Sequence, residues 1–173
     1  MSSKPHHEAD NDDIDKTRVD NKDVLIFKPR NLNIVWGNDN RYWRFPSGNS
    51  ADEPAELVQV SWLEVTGSCQ LKESQKYQIS FKLSFKRDAC GWSGAPVFLM
   101  AKVGKKGKYK WKKLKDLDKL PQEPTEFPSS DDPFTVDGVT RQPDMRLYFG
   151  LYEVWSGKWK GGLRVHHATV KQL

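Results

Sequence analysis

Cysteine is scarce in this chain: Cys69 and Cys90 are the only two among 173 residues. That excludes a disulfide framework as the source of its stability. The pair reads as two buried or part-exposed thiols, with one disulfide as the alternative. No Asn-X-Ser/Thr acceptor occurs. No apolar run approaches the roughly 18–20 residues of a membrane-spanning helix, so no membrane span is expected. The stretch from Met1 to Asp23 lacks the apolar run of a secretory signal. It also lacks the Arg-rich, acid-poor character of a transit peptide. A cytoplasmic protein, with access to the nucleus, is the expectation.

Enzyme signatures are missing as well. "CGWSGAP" holds Gly-Trp-Ser-Gly, not the Gly-X-Ser-X-Gly of a nucleophile elbow, and no helix is expected after it. There is no P-loop and no dinucleotide fingerprint. Histidines come as His6-His7 and His166-His167. The second pair falls in an expected strand, where neighbours point to opposite faces and do not easily share a metal. Two distant cysteines add no structural zinc set. Carboxylates such as Asp131-Asp132 lie in expected loops with nothing to tune them for acid–base work. No catalysis, no metal and no cofactor are expected.

What the chain does have is aromatic residues and base. Seven Trp, eight Phe and five Tyr supply a core with some left over. The length suits one domain that buries roughly two thirds of its unfolded surface. The net charge of +5 is uneven: residues 1–23 carry −3, which leaves +8 for residues 24–173. The first segment is too polar to offset its ordering entropy, so 1–23 reads as a disordered acidic tail and 24–173 as the folded domain.

Alternation dominates that domain. In "YQISFKLSFKR", Tyr77, Ile79, Phe81, Leu83 and Phe85 share one face, and Gln78, Ser80, Lys82, Ser84 and Lys86 the other. This is a half-buried antiparallel strand. Further strands are expected at 24–27, 56–66, 95–103, 108–114, 146–155 and 162–173, separated by Gly, Pro, Asn and Asp clusters. "GKKG" at 104–107 reads as a hairpin turn. The proline-rich stretch 115–144 reads as loop, with a short strand at "FTV" and a turn or two of helix over 114–120. The fold class is all-β, an antiparallel sandwich of jelly-roll type.

Two patterns carry functional readings. Lys105, Lys106, Lys108, Lys110, Lys112 and Lys113 interleave with Tyr109 and Trp111. They read as a solvated hairpin edge, a nuclear import signal or a surface for RNA. The second pattern is a pair of aromatic-bracketed turns, "WGNDNRYW" and "WSGKW". If the turns meet at one end of the sandwich, they form a shallow aromatic platform rimmed by polar groups. Such a platform covers the C–H face of a sugar, while Asn38, Asn40 and Glu153 meet its hydroxyls. The alternative is that these tryptophans cap the core. Trp62, among apolar strand residues, reads as core.

"LNIVWGNDNRYWRF", "AELVQVSWLEVTGSCQL" and "YFGLYEVWSGKWKGGLRVHHATVKQL" together resemble the phloem-protein-two plant lectins, the Nictaba type. The resemblance spans roughly Phe27 to Leu173 and is weak over 104–144. It implies a non-enzymatic lectin for N-acetylglucosamine oligomers or the chitobiose core of N-glycans. It also implies a cytoplasmic, nuclear or phloem-sap location and a homodimer. Carried over by motif, Trp36, Trp43, Glu153, Trp159 and Lys160 are the implied binding residues, and Tyr42 and Asn40 join them on local chemistry. The resulting expectation is that Trp36 anchors the first turn, Trp43 faces the sugar and Glu153 orients its hydroxyls. An RNA-binding or transport module built on the lysine hairpin is the alternative.

Overall fold

A computed structural model describes residues 4–45, 53–137 and 142–173. Parts of the expected tail (1–3) and of the proline-rich loop (138–141) lie outside the described residues. Thirteen strands are present among the described residues: β1 Asp15–Val19, β2 Lys22–Phe27, β3 Asn33–Ile34, β4 Trp43–Arg44, β5 Ala55–Leu57, β6 Leu63–Gln70, β7 Tyr77–Cys90, β8 Phe98–Val103, β9 Lys110–Lys113, β10 Thr125–Phe127, β11 Phe134–Val136, β12 Arg146–Glu153 and β13 Gly161–Gln172. Two 3-10 turns, Pro29–Asn31 and Lys115–Lys119, are the described helical pieces.

All strand pairings are antiparallel. One sheet runs β3-β6-β12-β8-β9. In the other, β13 pairs along its length with β7, and its opposite edge carries β2 and β5. β1 extends that sheet beyond β2, β4 lies beyond β5, and β10 and β11 pair with β7. The sheets face each other. Phe149 of β12 packs edge-on against Phe27 of β2, with ring centroids 5.1 Å apart, and meets Phe81 of β7 at 6.0 Å. The expected all-β sandwich is therefore present.

The alternation read in "YQISFKLSFKR" holds: Ile79, Phe81, Leu83 and Phe85 are fully buried. In β13 the alternation is interrupted. A bulge between Val165 and His167 inserts His166 as an extra residue, so Val165 and Ala168 both point inward although three apart. His166 and His167 thus both stay off the core face, contrary to the opposite-face expectation. His166 Nε2 lies 2.7 Å from the Ser84 hydroxyl.

Three expectations are corrected. The single strand expected at 56–66 is two. β5 ends at Leu57 and β6 begins at Leu63 in the other sheet, so residues 58–62 carry the chain between sheets. Trp62 falls on that crossover and is 47% exposed rather than core. Its indole N–H donates to Glu64 Oε1 at 3.1 Å.

The acidic segment also differs. Described residues of the expected tail form strand β1 and a run docked against the body. Its acids meet bases of the basic domain: Asp13 pairs with Arg30, Asp15 with Lys28 and Asp23 with Lys72, while Asp23 also pairs with Lys16 and Arg18 of its own segment. The Lys72 hydrogen bond, and the nearby cations with it, hold the Asp23 carboxyl below its ordinary range. Each exposed pair contributes little alone. Backbone pairing with β2 and the packing of Ile14 on the core add the rest. A composition count registers the charge of these residues but not the complementary surface that receives them.

Both thiols are free. Cys69 is buried, which pushes its thiol up to about 12, and Cys90 is exposed.

Candidate functional site

The first aromatic turn is built by local hydrogen bonds. Asp39 accepts from the Arg41 backbone N–H and holds its guanidinium at 2.7 Å. It is also the acceptor, through its carbonyl, for the amides of Tyr42 and Trp43. Trp36 takes a left-handed backbone, φ +66°. Gly37 follows because the chain passes close to the N-terminal segment: an added Cβ would stand 2.7 Å from His7 Cβ.

That N-terminal segment completes the turn. The Trp36 amide donates to His6 Nδ1, and the Asn38 amide donates to the Pro5 carbonyl. Asn38 Nδ2 donates to the carbonyls of Lys4 and His6. The side-chain donors of Asn38 are therefore occupied by the protein. His6 packs edge-on against Trp36 at 5.0 Å. Nothing in the residue pattern points to His6, because its contact depends on a segment that carries no periodicity. In a chain lacking residues 1–9, hydrogen exchange at the Trp36 and Asn38 amides is expected to accelerate, while Leu151 in the centre of β12 is unchanged.

The second turn meets the first. Tyr42 lies between Trp36, at 5.4 Å, and Trp159, which stacks on it at 6.5 Å with rings 26° apart. His6, Trp36, Tyr42 and Trp159 form one aromatic arc. Trp36 is 36% exposed and Trp159 57%. Arg41 lies over the Tyr42 ring, and Asn40 stands exposed on the same turn. The two aromatic turns do come together.

Within them, the roles expected for Trp36 and Trp43 are exchanged. Trp43 pairs with Leu57 across β4 and β5 and is 1% exposed, deep in the core. Its face is covered by protein. Trp36, expected as the anchor, is the one that faces out.

Glu153 and Lys160 are also misplaced by the motif reading. Both side chains are buried, at 0% and 1% exposure. Glu153 shares the inward face of β12 with Leu147, Phe149 and Leu151, so it enters the sandwich rather than the surface. Its Oε2 lies 2.5 Å from Lys160 Nζ, and its Oε1 accepts the Ser156 amide. Burial pushes the Glu153 carboxyl up, but the Lys160 and Ser156 hydrogen bonds outweigh it and hold the group below its ordinary value. Lys160 Nζ also donates to the carbonyls of Ser61 and Lys158. The pair therefore pins three things: the end of β12, the turn carrying Trp155 and Trp159, and the crossover before Trp62. The pair thus ties these segments together from inside the sandwich.

Trp155 leaves the arc and packs edge-on against Phe98 of β8 at 5.2 Å. The lysine hairpin is present, with Gly104 at φ +79° in its turn. Its lysines do not form one basic ribbon. Lys110 donates to the Thr135 carbonyl and Lys112 pairs with Asp132, both toward β11, whereas Lys113 lies in register with Phe98 on the other face. Lys105, Lys106 and Lys108 are exposed in or near the turn. Strand alternation divides the charge that sequence spacing had gathered.

This chain is 45% identical over 179 residues to Protein PHLOEM PROTEIN 2-LIKE A9 of Arabidopsis thaliana, covering 97% of this chain and 96% of that protein. It is 35% identical over 69 residues to a lectin of Luffa acutangula, covering 36% of this chain and 33% of that protein. A solved structure described as "CBM4 structure and function" superposes with a TM-score of 0.44 at 12% identity, over 97% of this chain and 94% of that one. The Phloem protein 2 family profile matches residues 22–171, and the chain belongs to that family.

Proposed function

We propose that this protein is a non-catalytic lectin that binds N-acetylglucosamine-containing glycans on the Trp36–Tyr42–Trp159 arc. One observation carries the reading: two separate turns bring exposed aromatic rings into one arc, with Tyr42 stacked on Trp159. Such rings cover the apolar C–H face of a pyranose. Asn40 supplies a donor and an acceptor for the acetamido group and ring hydroxyls, and the Arg41–Asp39 pair lies beside it. The lectin relative from Luffa acutangula is consistent with this reading.

The arc is open and shallow, so one sugar is expected to bind weakly, at around millimolar or about −4 kcal/mol. Longer oligomers and a dimeric arrangement gain through effective concentration. Sugar binding should be nearly insensitive to salt, whereas binding through several phosphates falls steeply between low and physiological salt.

Calorimetric titration with N,N′,N″-triacetylchitotriose tests the proposal. Heat is expected from the unaltered chain. Trp36→Ala and Trp159→Ala should each weaken binding about tenfold or more, as aromatic anchors do. Both residues are exposed, so the melting temperature should hardly move. Unaltered affinity in both variants would remove the arc as the site.

A further inference from the structure

The outer face of the five-stranded sheet holds a second aromatic surface, made of residues that the arc does not use. Gly150 lies midway along β12, in register with Thr66 on β6 and Met100 on β8, and Met100 is in register with Trp111 on β9. An added Cβ at Gly150 would stand 2.8 Å from Tyr152 Cε2 and 2.7 Å from Thr66 Cγ2. The Tyr152 ring therefore leans across the glycine and lies along the sheet instead of standing away from it. A groove of about 270 Å³ opens there, lined by Asn33, Glu64, Tyr109, Tyr148 and Tyr152 among others.

A second groove, about 410 Å³, lies on the same sheet between Phe98, Met100, Trp111 and Trp155. Tyr152, which lines the first, is in register with Phe98, which lines the second. Phe98 stands edge-on to both tryptophans, Trp111 at 5.4 Å and Trp155 at 5.2 Å. It holds them in place, although they are 63% and 56% exposed. The combined trough crosses the strands. The four strands β6, β12, β8 and β9 give three spacings of about 4.8 Å, a run of roughly 14 Å, longer than one sugar needs.

Two cations in and beside it are held by the protein. Lys102 Nζ donates to the Lys105 carbonyl and lies over the rings of Tyr109 and Tyr148. Arg146 is turned onto the Ser68 hydroxyl at 3.0 Å. Glu64 takes the Trp62 indole N–H on one oxygen and keeps the other free to accept. The lining carries both signs, exposed Lys105 and part-exposed Glu64, rather than a basic field for a polyanion, and tyrosine hydroxyls with Asn33 and Glu64 make the trough too polar for a purely apolar peptide. Flat rings interleaved with hydroxyl partners are what a neutral oligosaccharide meets.

We infer that this trough binds a neutral, equatorially linked oligosaccharide, several pyranoses long, laid across β6, β12, β8 and β9. The linkage follows from shape. Equatorial β-1,4 links keep a chain extended and ribbon-like, so successive C–H faces lie along a nearly flat sheet. Axial links curl the chain away. The ligand class rests on the glycan reading above, but the residues are separate.

The test is titration of the full chain with hexa-N-acetylchitohexaose, cellohexaose and maltohexaose, beside the variant Trp111→Ala/Trp155→Ala. Both altered residues are exposed, and circular dichroism melting checks that the variant is folded. At least one β-1,4 hexasaccharide is expected to bind the unaltered chain, and maltohexaose is not. The double variant should weaken hexasaccharide binding at least about tenfold while triacetylchitotriose binding at the arc stays constant. Hexasaccharide affinity unchanged by the double variant would overturn the trough, as would no hexasaccharide binding at all. So would a change confined to oligomeric state by light scattering, which would make the face a contact between two copies of this chain. Failure of the arc reads out separately, as triacetylchitotriose affinity unaffected by Trp36→Ala.

Discussion

Trp43→Ala should lower the stability of the domain by about 3–5 kcal/mol, the range for removing a large aromatic from a packed core. For a chain of this length that is a fall in melting temperature of roughly 6–20 °C. The size of the effect follows from place. Trp43 is among the largest fully buried side chains and is joined to Leu57 across β4 and β5. Removing the indole leaves a cavity beneath the turn that carries Trp36 and Tyr42. Trp43→Phe should recover much of the loss. It keeps an aromatic ring in the core, and the indole N–H it removes has no hydrogen-bond partner in the protein among the described residues. Thermal melts of the three proteins decide the matter. A Trp43→Ala chain that melts like the unaltered one but fails to bind sugar would restore Trp43 to the surface and contradict the core placement.

Glu153→Gln is the second large effect. It leaves Lys160 charged and buried without its counter-ion, and breaking one partner of a buried pair costs about 3–5 kcal/mol. The loss should centre on the turn between β12 and β13. Weakened triacetylchitotriose binding is expected to accompany it, although Glu153 is buried, because Trp159 is held by this turn. A double substitution, Glu153→Gln with Lys160→Met, should recover stability relative to Glu153→Gln alone, since it removes the stranded charge.

The same pair makes a pH prediction. Folding holds the Glu153 carboxyl below its ordinary value of 4.5, so the folded state binds fewer protons than the unfolded chain near that pH. Its contribution is complete above pH 4.5 and is lost as the pH falls through the lower folded value. Asp23, lowered by its Lys72 hydrogen bond, acts in the same direction. Acid titration of the melting temperature should therefore show a steep decline on the acid side of pH 4.5. Glu153→Gln should make that decline shallower. An unchanged slope would mean that the pair does not couple to folding.

How much of this was legible depends on how local each signal is. Leu147, Phe149 and Leu151 alternate, and the same parity carries on to Glu153. The inward face of that glutamate was therefore available in the sequence. The affinity of a carboxylate for hydroxyls points outward instead, but a buried lysine seven residues on satisfies the carboxylate as well. The lysine hairpin erred in the opposite way. Its spacing looked like one basic ribbon, yet alternation alone sends Lys110 and Lys112 away from Trp111 and Lys113. The bulge at His166 has a trace too: "VHHA" places two polar residues between apolar ones, where strict alternation allows one.

By itself, the sequence determined the longer strands. Alternating apolar residues in β7, β12 and β13, with glycine and proline between the strands, specify antiparallel sheets, because burial of one face is a property of each strand's own periodicity. It also placed aromatic pairs around two polar turns. Only the tertiary structure decided which aromatic faces water. Trp36 and Trp43 flank the same turn with similar neighbours, and the pairing of β4 with β5 sends Trp43 inward. Likewise, residues 4–23 look too charged to fold until a basic surface receives their acids. In each case the deciding energy lies between segments distant in sequence, where composition and period carry no information about the partner.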